Sequence, residues 1–167
     1  MKQSVMFVSV AFSMLFVLAS CDFSRDHSAS RKSQLSFKAE LISKSNSTDT
    51  VLFTGKDIKS INGTTGEIRF VDASMIFKIK SFHRVKCYLG SDSLFTATVT
   101  LPVVSSLVND LVLNLKTDDG HFYFEDGYPD WINNQAVSDL RIKNKEKRAT
   151  AWSRFIDELK KEEIYIK

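Results

Sequence analysis

The stretch NDLVLNLKTDDGHFYFEDG, residues 109–127, decides the fold because it combines a turn signal with two alternating runs. Asp119-Gly120 is a dipeptide that favours the two-residue type I′ turn of a β-hairpin. Such a turn sets the cross-strand pairs Leu115–Phe124, Thr117–Phe122, Lys116–Tyr123 and Asn114–Glu125. The first two pairs make an apolar face and the last two a mainly polar one. Turn chemistry and face pattern agree, so the sequence predicts an antiparallel hairpin with one face on a core.

Further strands are predicted upstream, where apolar and polar residues alternate with the period of two that marks a half-buried strand. Residues 34–42 and 50–54 supply the first two strands. Residues 55–72 predict a second hairpin with its turn at residues 62–66, where asparagine and glycine accept positive φ. Residues 74–104 predict two or three more strands. The inward-facing candidates are Leu35, Phe37, Ala39, Leu41, Ile58, Ile61, Ile68, Phe70, Phe77, Ile79, Phe82, Val85, Cys87, Leu89, Phe95, Ala97, Val99 and Leu101.

The chain changes character near its end, where NKEKRATAWSRFIDELKKEE, residues 144–163, is rich in helix formers. One apolar stripe runs along this charged segment, made of Trp152, Phe155, Ile156 and Leu159. A shorter helix is predicted before it, around residues 135–141. The sequence therefore predicts one α+β domain over residues 34–167, a mainly antiparallel sheet of hairpins with an amphipathic C-terminal helix packed on its apolar face.

At the other end, an apolar run over residues 5–18 follows Lys2, as in a secretory signal peptide, and is too short to span a bilayer. The run ends in Leu18-Ala19-Ser20-Cys21, which resembles the lipobox of bacterial lipoprotein precursors. The resemblance implies cleavage before Cys21 and acylation of that residue, so that residues 1–20 are a signal peptide and residues 21–33 a lipidated tether. The alternative is ordinary cleavage near Ser20, with Cys21 left to form a disulfide with Cys87.

Three segments of the chain extend this resemblance. Residues 51–70, 122–131 and 151–163 are similar to small lipoproteins of the Bacteroidota. That similarity implies a cell-envelope setting, anchored to a bacterial membrane through the N-terminal lipid, and brings no known activity with it. Whether the membrane is the outer membrane or the periplasmic side of the inner membrane stays open.

The net charge and the motifs of the sequence narrow the range of functions that the chain could have. Removing residues 1–20 takes away Lys2 and no acidic residue, which leaves 22 Lys and Arg against 20 Asp and Glu. So small a net charge does not suggest a nucleic-acid partner. Metal-ligand, P-loop and nucleophile-elbow spacings do not occur, and we predict no cofactor, no metal and no catalytic residue. His83 and His121 are expected to be exposed polar residues.

The loop EDGYPDW, residues 125–131, is the best candidate for a functional site. Tyr128 and Trp131 are partner-binding candidates because aromatic side chains often anchor interfaces. The more conservative interpretation is that both rings plug the open end of the core beneath the helix. We expect a non-enzymatic binding or accessory role with a protein or another envelope component. The alternative is a small envelope hydrolase with Glu125 and Asp130 as an acidic pair.

Overall fold

The computed structural model describes residues 33–40, 50–102 and 106–167, and these form an α+β domain. Its strands belong to one sheet, with β1 and β2 at one edge and β9 at the other. The sheet order is β2-β1-β5-β6-β7-β8-β4-β3-β9. The elements are β1 (Leu35–Glu40), β2 (Val51–Thr54), β3 (Ile58–Asn62), β4 (Glu67–Phe70), α1 (Met75–Ile79), β5 (Arg84–Leu89), β6 (Asp92–Thr100), β7 (Val112–Leu115), β8 (Phe122–Glu125), α2 (Gln135–Lys161) and β9 (Tyr165–Ile166).

Alternating burial confirms most of the predicted strands. In β1, Leu35, Phe37 and Ala39 are buried, while the residues between them are partly exposed. The predicted apolar face of β6 is likewise buried at Phe95, Ala97 and Val99. The predicted hairpin of β3 and β4 also forms, and Leu41 lies outside the described residues. A period-two pattern is reliable in β1 and β6 because one face of each of these strands meets the core.

The sheet is mixed, which corrects the expectation of a sheet built from antiparallel hairpins. β6 and β7 run parallel, with Thr98 opposite Val112, and β3 and β9 also run parallel. Parallel neighbours need a crossover connection in place of a tight turn. The connection between β6 and β7 is the first crossover, and α2 returns the chain so that β9 enters beside β3.

The hairpin of β7 and β8 forms, but its predicted register is wrong by two residues. Leu113 lies opposite Phe124 and Leu115 opposite Phe122. A longer loop over residues 117–120 replaces the type I′ turn and is closed by the amide of Lys116, which donates to the carbonyl of His121 at 3.0 Å. A type I′ turn needs positive φ at both central residues, and of the predicted pair only Gly120 has it. Because the register shifts by two residues, each side chain stays on its predicted face of the hairpin. The apolar face therefore still points to the core.

Residues 75–79 form the short helix α1 where a strand was predicted. Ile79 is fully buried, but Phe77 is 65% exposed and was wrongly predicted to face inward. Met75, Ile76 and Ile79 all contact the core, a spacing that fits a helical turn. A short apolar run does not by itself distinguish a strand from a buried helix, which explains the error.

The two predicted C-terminal helices are one helix, α2, of 27 residues. Asn134 caps it by accepting a hydrogen bond from the amide of Val137 at 3.3 Å. The predicted stripe is confirmed: Phe155 and Leu159 are fully buried, and Trp152 and Ile156 pack against the core. The ring of Phe155 meets the rings of Phe37, Phe95 and Phe124 at centroid distances of 6.1, 5.1 and 5.8 Å.

The predicted signal peptide, the lipobox with Cys21 and the tether up to residue 32 lie outside the described residues. Within the described part of the chain, no helix combines the length and apolarity that crossing a bilayer requires. The long helix α2 carries charge along most of its length.

We expect Phe155→Ala to lower the free energy of unfolding by about 3–5 kcal/mol, because it leaves a cavity where three strands meet the helix. Phe77→Ala is the matched control, since it removes the same atoms from an exposed site and should cost less than about 1 kcal/mol. Urea denaturation followed by far-UV circular dichroism measures both. Equal losses in the two variants would contradict the central position of Phe155.

Candidate functional site

The two aromatic residues of the candidate loop, Tyr128 and Trp131, differ in their exposure. Tyr128 is half-buried, and its backbone amide and carbonyl each form a 2.8 Å hydrogen bond with Val108. Trp131 is 77% exposed. The prediction that both rings plug the core is therefore wrong for Trp131, which lies on the surface because the loop turns away from the sheet after the bridge to Val108.

Trp131 and Tyr128 line one side of an apolar cavity of about 490 Å³. We call this region the Trp131 surface and define it by Leu107, Tyr128, Pro129, Trp131 and Ile132. Leu107 is exposed and was missed from the sequence, where it stands beside Val108 in the connection before β7 and shows no distinguishing pattern. Large apolar side chains exposed together are a common feature of interaction surfaces.

Polar contacts hold this loop against α2. Nη2 of Arg141 donates to the carbonyl of Pro129 at 2.9 Å. Nδ2 of Asn144 donates to the carbonyl of Asn109 at 2.8 Å and so fixes the neighbouring connection. The helix therefore positions both segments that form the Trp131 surface.

The predicted acidic pair lies along a second cavity, of about 430 Å³. Glu125 and Asp130 both line it, together with Arg141 and Lys145. Both carboxylate oxygens of Glu125 are engaged: Nζ of Lys116 lies 2.9 Å from Oε1, and Nδ2 of Asn114 donates to Oε2 at 2.8 Å. Both oxygens are therefore occupied by neighbouring side chains of the hairpin, which leaves neither oxygen without a partner for contact with a substrate.

The charge on Lys116 is also stabilised. The hydrogen bond to Glu125 is the main reason that the pKa of Lys116 is raised, and the charges of Glu125, Asp130 and Asp119 add to the effect. Asp119 accepts hydrogen bonds from the amide of His121 and from the hydroxyl of Tyr123, whose pKa is thereby raised to about 12. Among the described residues, no cluster of three or more histidine, cysteine or acidic side chains is placed to hold a metal ion.

The two histidines of the domain, His83 and His121, differ in their exposure and in their contacts. His83 is exposed, as predicted. His121 is only partly exposed, and its Nδ1 lies 2.7 Å from Oε1 of Glu67. Nε of Arg69 donates to the same carboxylate at 2.7 Å, and this hydrogen bond is the main cause of the lowered pKa of Glu67. The sequence could not show this group, since it depends on the pairing of β4 with β8.

Cys87 is a free cysteine, buried in β5. Burial raises the pKa of its thiol well above the usual range, which suppresses the reactive thiolate. Its position opposite Phe37 in the sheet gives it the role of a small apolar core residue, as expected for a buried cysteine.

Fold and surface together define a small α+β domain with a mixed sheet, one long helix and an exposed aromatic loop. No protein-family model, curated protein or solved structure matches the chain.

We expect the domain to lose stability in acid as Glu67 becomes protonated. Because the folded-state pKa of Glu67 lies below its ordinary value, its interactions stabilise the fold above that value, and the stabilisation is lost as the pH falls through the folded pKa. We expect Glu67→Gln to lower the urea midpoint at about pH 7 and to reduce the loss of stability between about pH 5 and pH 3. Glu146→Gln, at an exposed position of α2, is the control. An unchanged pH profile in Glu67→Gln would contradict the assignment.

Proposed function

We propose that this chain is a lipid-anchored cell-envelope protein whose domain binds an envelope protein through the Trp131 surface, without catalysing a reaction. The observation that carries the proposal is the 77% exposure of Trp131 beside Leu107 and Tyr128. A tryptophan loses much apolar surface to a partner at a small cost in side-chain entropy. The proposed partner is a protein because large apolar side chains, Leu107 and Trp131, are exposed together here.

Two hydrogen-bonded contacts also hold the Trp131 surface in place. The bridge between Val108 and Tyr128 fixes the loop on one side, and Arg141 fixes Pro129 on the other. A surface held in place before binding loses less entropy when a partner docks. This rigidity favours a binding role for the loop over that of a mobile linker.

The hydrolase with Glu125 and Asp130 is the weaker candidate. Both residues face one cavity, as a catalytic pair would. However, Lys116 and Asn114 engage both oxygens of Glu125, so the carboxylate has a structural role in joining β7 to β8. These contacts are the reason that we prefer binding to catalysis.

The anchor is proposed from the N-terminal sequence. Lipidation of Cys21 after removal of residues 1–20 would join the domain to a membrane, and residues 21–33 would span at most about 45 Å when fully extended. Two or more acyl chains hold a protein firmly at a bilayer, while a single chain binds only marginally. The tether would keep the Trp131 surface close to the membrane and to partners located there.

We expect Cys21→Ala to abolish palmitate incorporation and to move the protein from the membrane fraction to the soluble fraction, because the thiol that receives the lipid is gone. Cys87→Ala is the matched control and should leave both properties unchanged. Radiolabelled palmitate and fractionation of intact cells provide the measurement. Continued labelling of Cys21→Ala would overturn the lipoprotein proposal.

The binding proposal is tested by a photoreactive amino acid placed at position 131. We expect it to form one discrete adduct in the native envelope, identified by mass spectrometry as an envelope protein. The same probe at Phe77, an exposed aromatic position on α1, is the control and should give no such adduct. Identical adducts from both positions, or none from position 131, would contradict binding through the Trp131 surface.

A further inference from the structure

A separate cleft lies between the turn that joins β3 to β4 and one face of α2. It has a volume of about 490 Å³, within the range of small-molecule sites. On the helix side its lining extends from Lys145 to Lys160, a length of about 22 Å. The cleft is therefore elongated and is shaped for a ligand of several linked units.

The floor of the cleft is apolar. Leu111, Phe124, Trp152 and Ile156 line it. Trp152 is half-buried, since it packs against three phenylalanine rings of the core and also lines the cleft. Leu111 and Phe124 are buried, so the accessible aromatic surface of the floor is that of Trp152, which favours a ligand that presents C–H surface to an aromatic ring.

The rim of the cleft carries three cations, Lys145, Arg148 and Lys160, and two carboxylates, Asp126 and Asp157. Lys145 lies 2.7 Å from a carboxylate oxygen of Asp126, which also pairs with Arg148. Lys160 lies 3.9 Å from Asp157 at the other end. Each lining cation thus has a lining carboxylate beside it, and a ligand with a net charge of either sign would meet a like charge.

Hydroxyl groups complete the rim. Thr64 and Thr65 line the cleft from the turn, and Ser153 lines it from α2. Oδ1 of Asn62 accepts hydrogen bonds from the amides of both threonines, so this wall is formed in advance. The rim therefore offers hydroxyl groups, which both donate and accept hydrogen bonds, around an apolar floor.

Gly66 fixes the turn against β8. Its φ is +76°, and its carbonyl accepts a hydrogen bond from the amide of Phe124 at 2.9 Å. A Cβ at this position would lie 2.3 Å from the carbonyl oxygen of Phe124, so only glycine permits the approach. The distance between turn and floor is thus set by the backbone.

We propose that this cleft binds a neutral, polyhydroxylated ligand of the oligosaccharide class. A sugar ring combines an apolar C–H face with hydroxyls that both donate and accept, which matches the floor and the rim together. Hydroxyls can form charge-assisted hydrogen bonds to Asp126, Asp157 and Lys160 without burying an unpaired charge. This site is independent of the Trp131 surface.

The test uses the full chain in a detergent without a sugar headgroup. The sequence contains two tryptophans, so Trp131→Phe leaves Trp152 as the sole reporter. Cellotriose, maltotriose and triacetylchitotriose are titrated as neutral probes, with trigalacturonate as the acidic counterpart. We expect a saturable change in Trp152 fluorescence with at least one neutral probe and binding at least tenfold weaker with the acidic one.

Variants in the same background separate the cleft from other surfaces. Ala149→Phe fills the cleft from an exposed helix position and should abolish the response, whereas Ala136→Phe, at an exposed position nearer the helix start, should preserve it. Asp157→Ala should weaken binding at least tenfold. The proposal is overturned by no saturable response to any neutral probe, by tighter binding of trigalacturonate, or by a response that survives Ala149→Phe. None of these outcomes bears on the crosslinking at position 131.

Discussion

The packing of Phe155 against three strands is the contact on which the rest of the structure depends. Its ring meets Phe37 of β1, Phe95 of β6 and Phe124 of β8, so one side chain joins strands that are far apart in the sheet. A sheet with one apolar face is stable only when something covers that face. Because α2 is the long element that does so, the position of Phe155 fixes where the remainder of the helix runs.

The N-terminal half of α2 is positioned by polar contacts. The side chain of Arg148 is only 10% exposed, and it pairs with Asp110 before β7 and with Asp126 after β8. A charge this buried is stable only if its partners are in place. The ion pairs of Arg148 therefore require one particular position of the helix relative to both aspartates. Arg148 thereby fixes both connecting segments to the helix, and it also lines the cleft.

The sequence predicts what local periodicity controls and little of what long-range pairing controls. The alternation in β1 and β6 and the stripe around Phe155 follow directly from residue spacing, because burial has the period of the element. The register of β7 and β8 does not, since Asp119-Gly120 suits more than one loop. The parallel pairing of β6 with β7 and the contacts of Arg148 join residues far apart in sequence, and no short motif encodes them.

The two tryptophans differ in their relation to the core. Trp152 belongs to the aromatic core and also faces the cleft, so its surroundings are fixed by packing. Trp131 lies outside the core and is held only through the backbone of its loop. A change at Trp131 therefore alters a surface without opening a cavity, whereas a change at Trp152 alters the cleft and the core together. Substitutions in the exposed loop, the proposed partner-binding site, therefore leave the core packing intact, whereas substitutions in the proposed ligand cleft also disturb the packing that stabilises the fold.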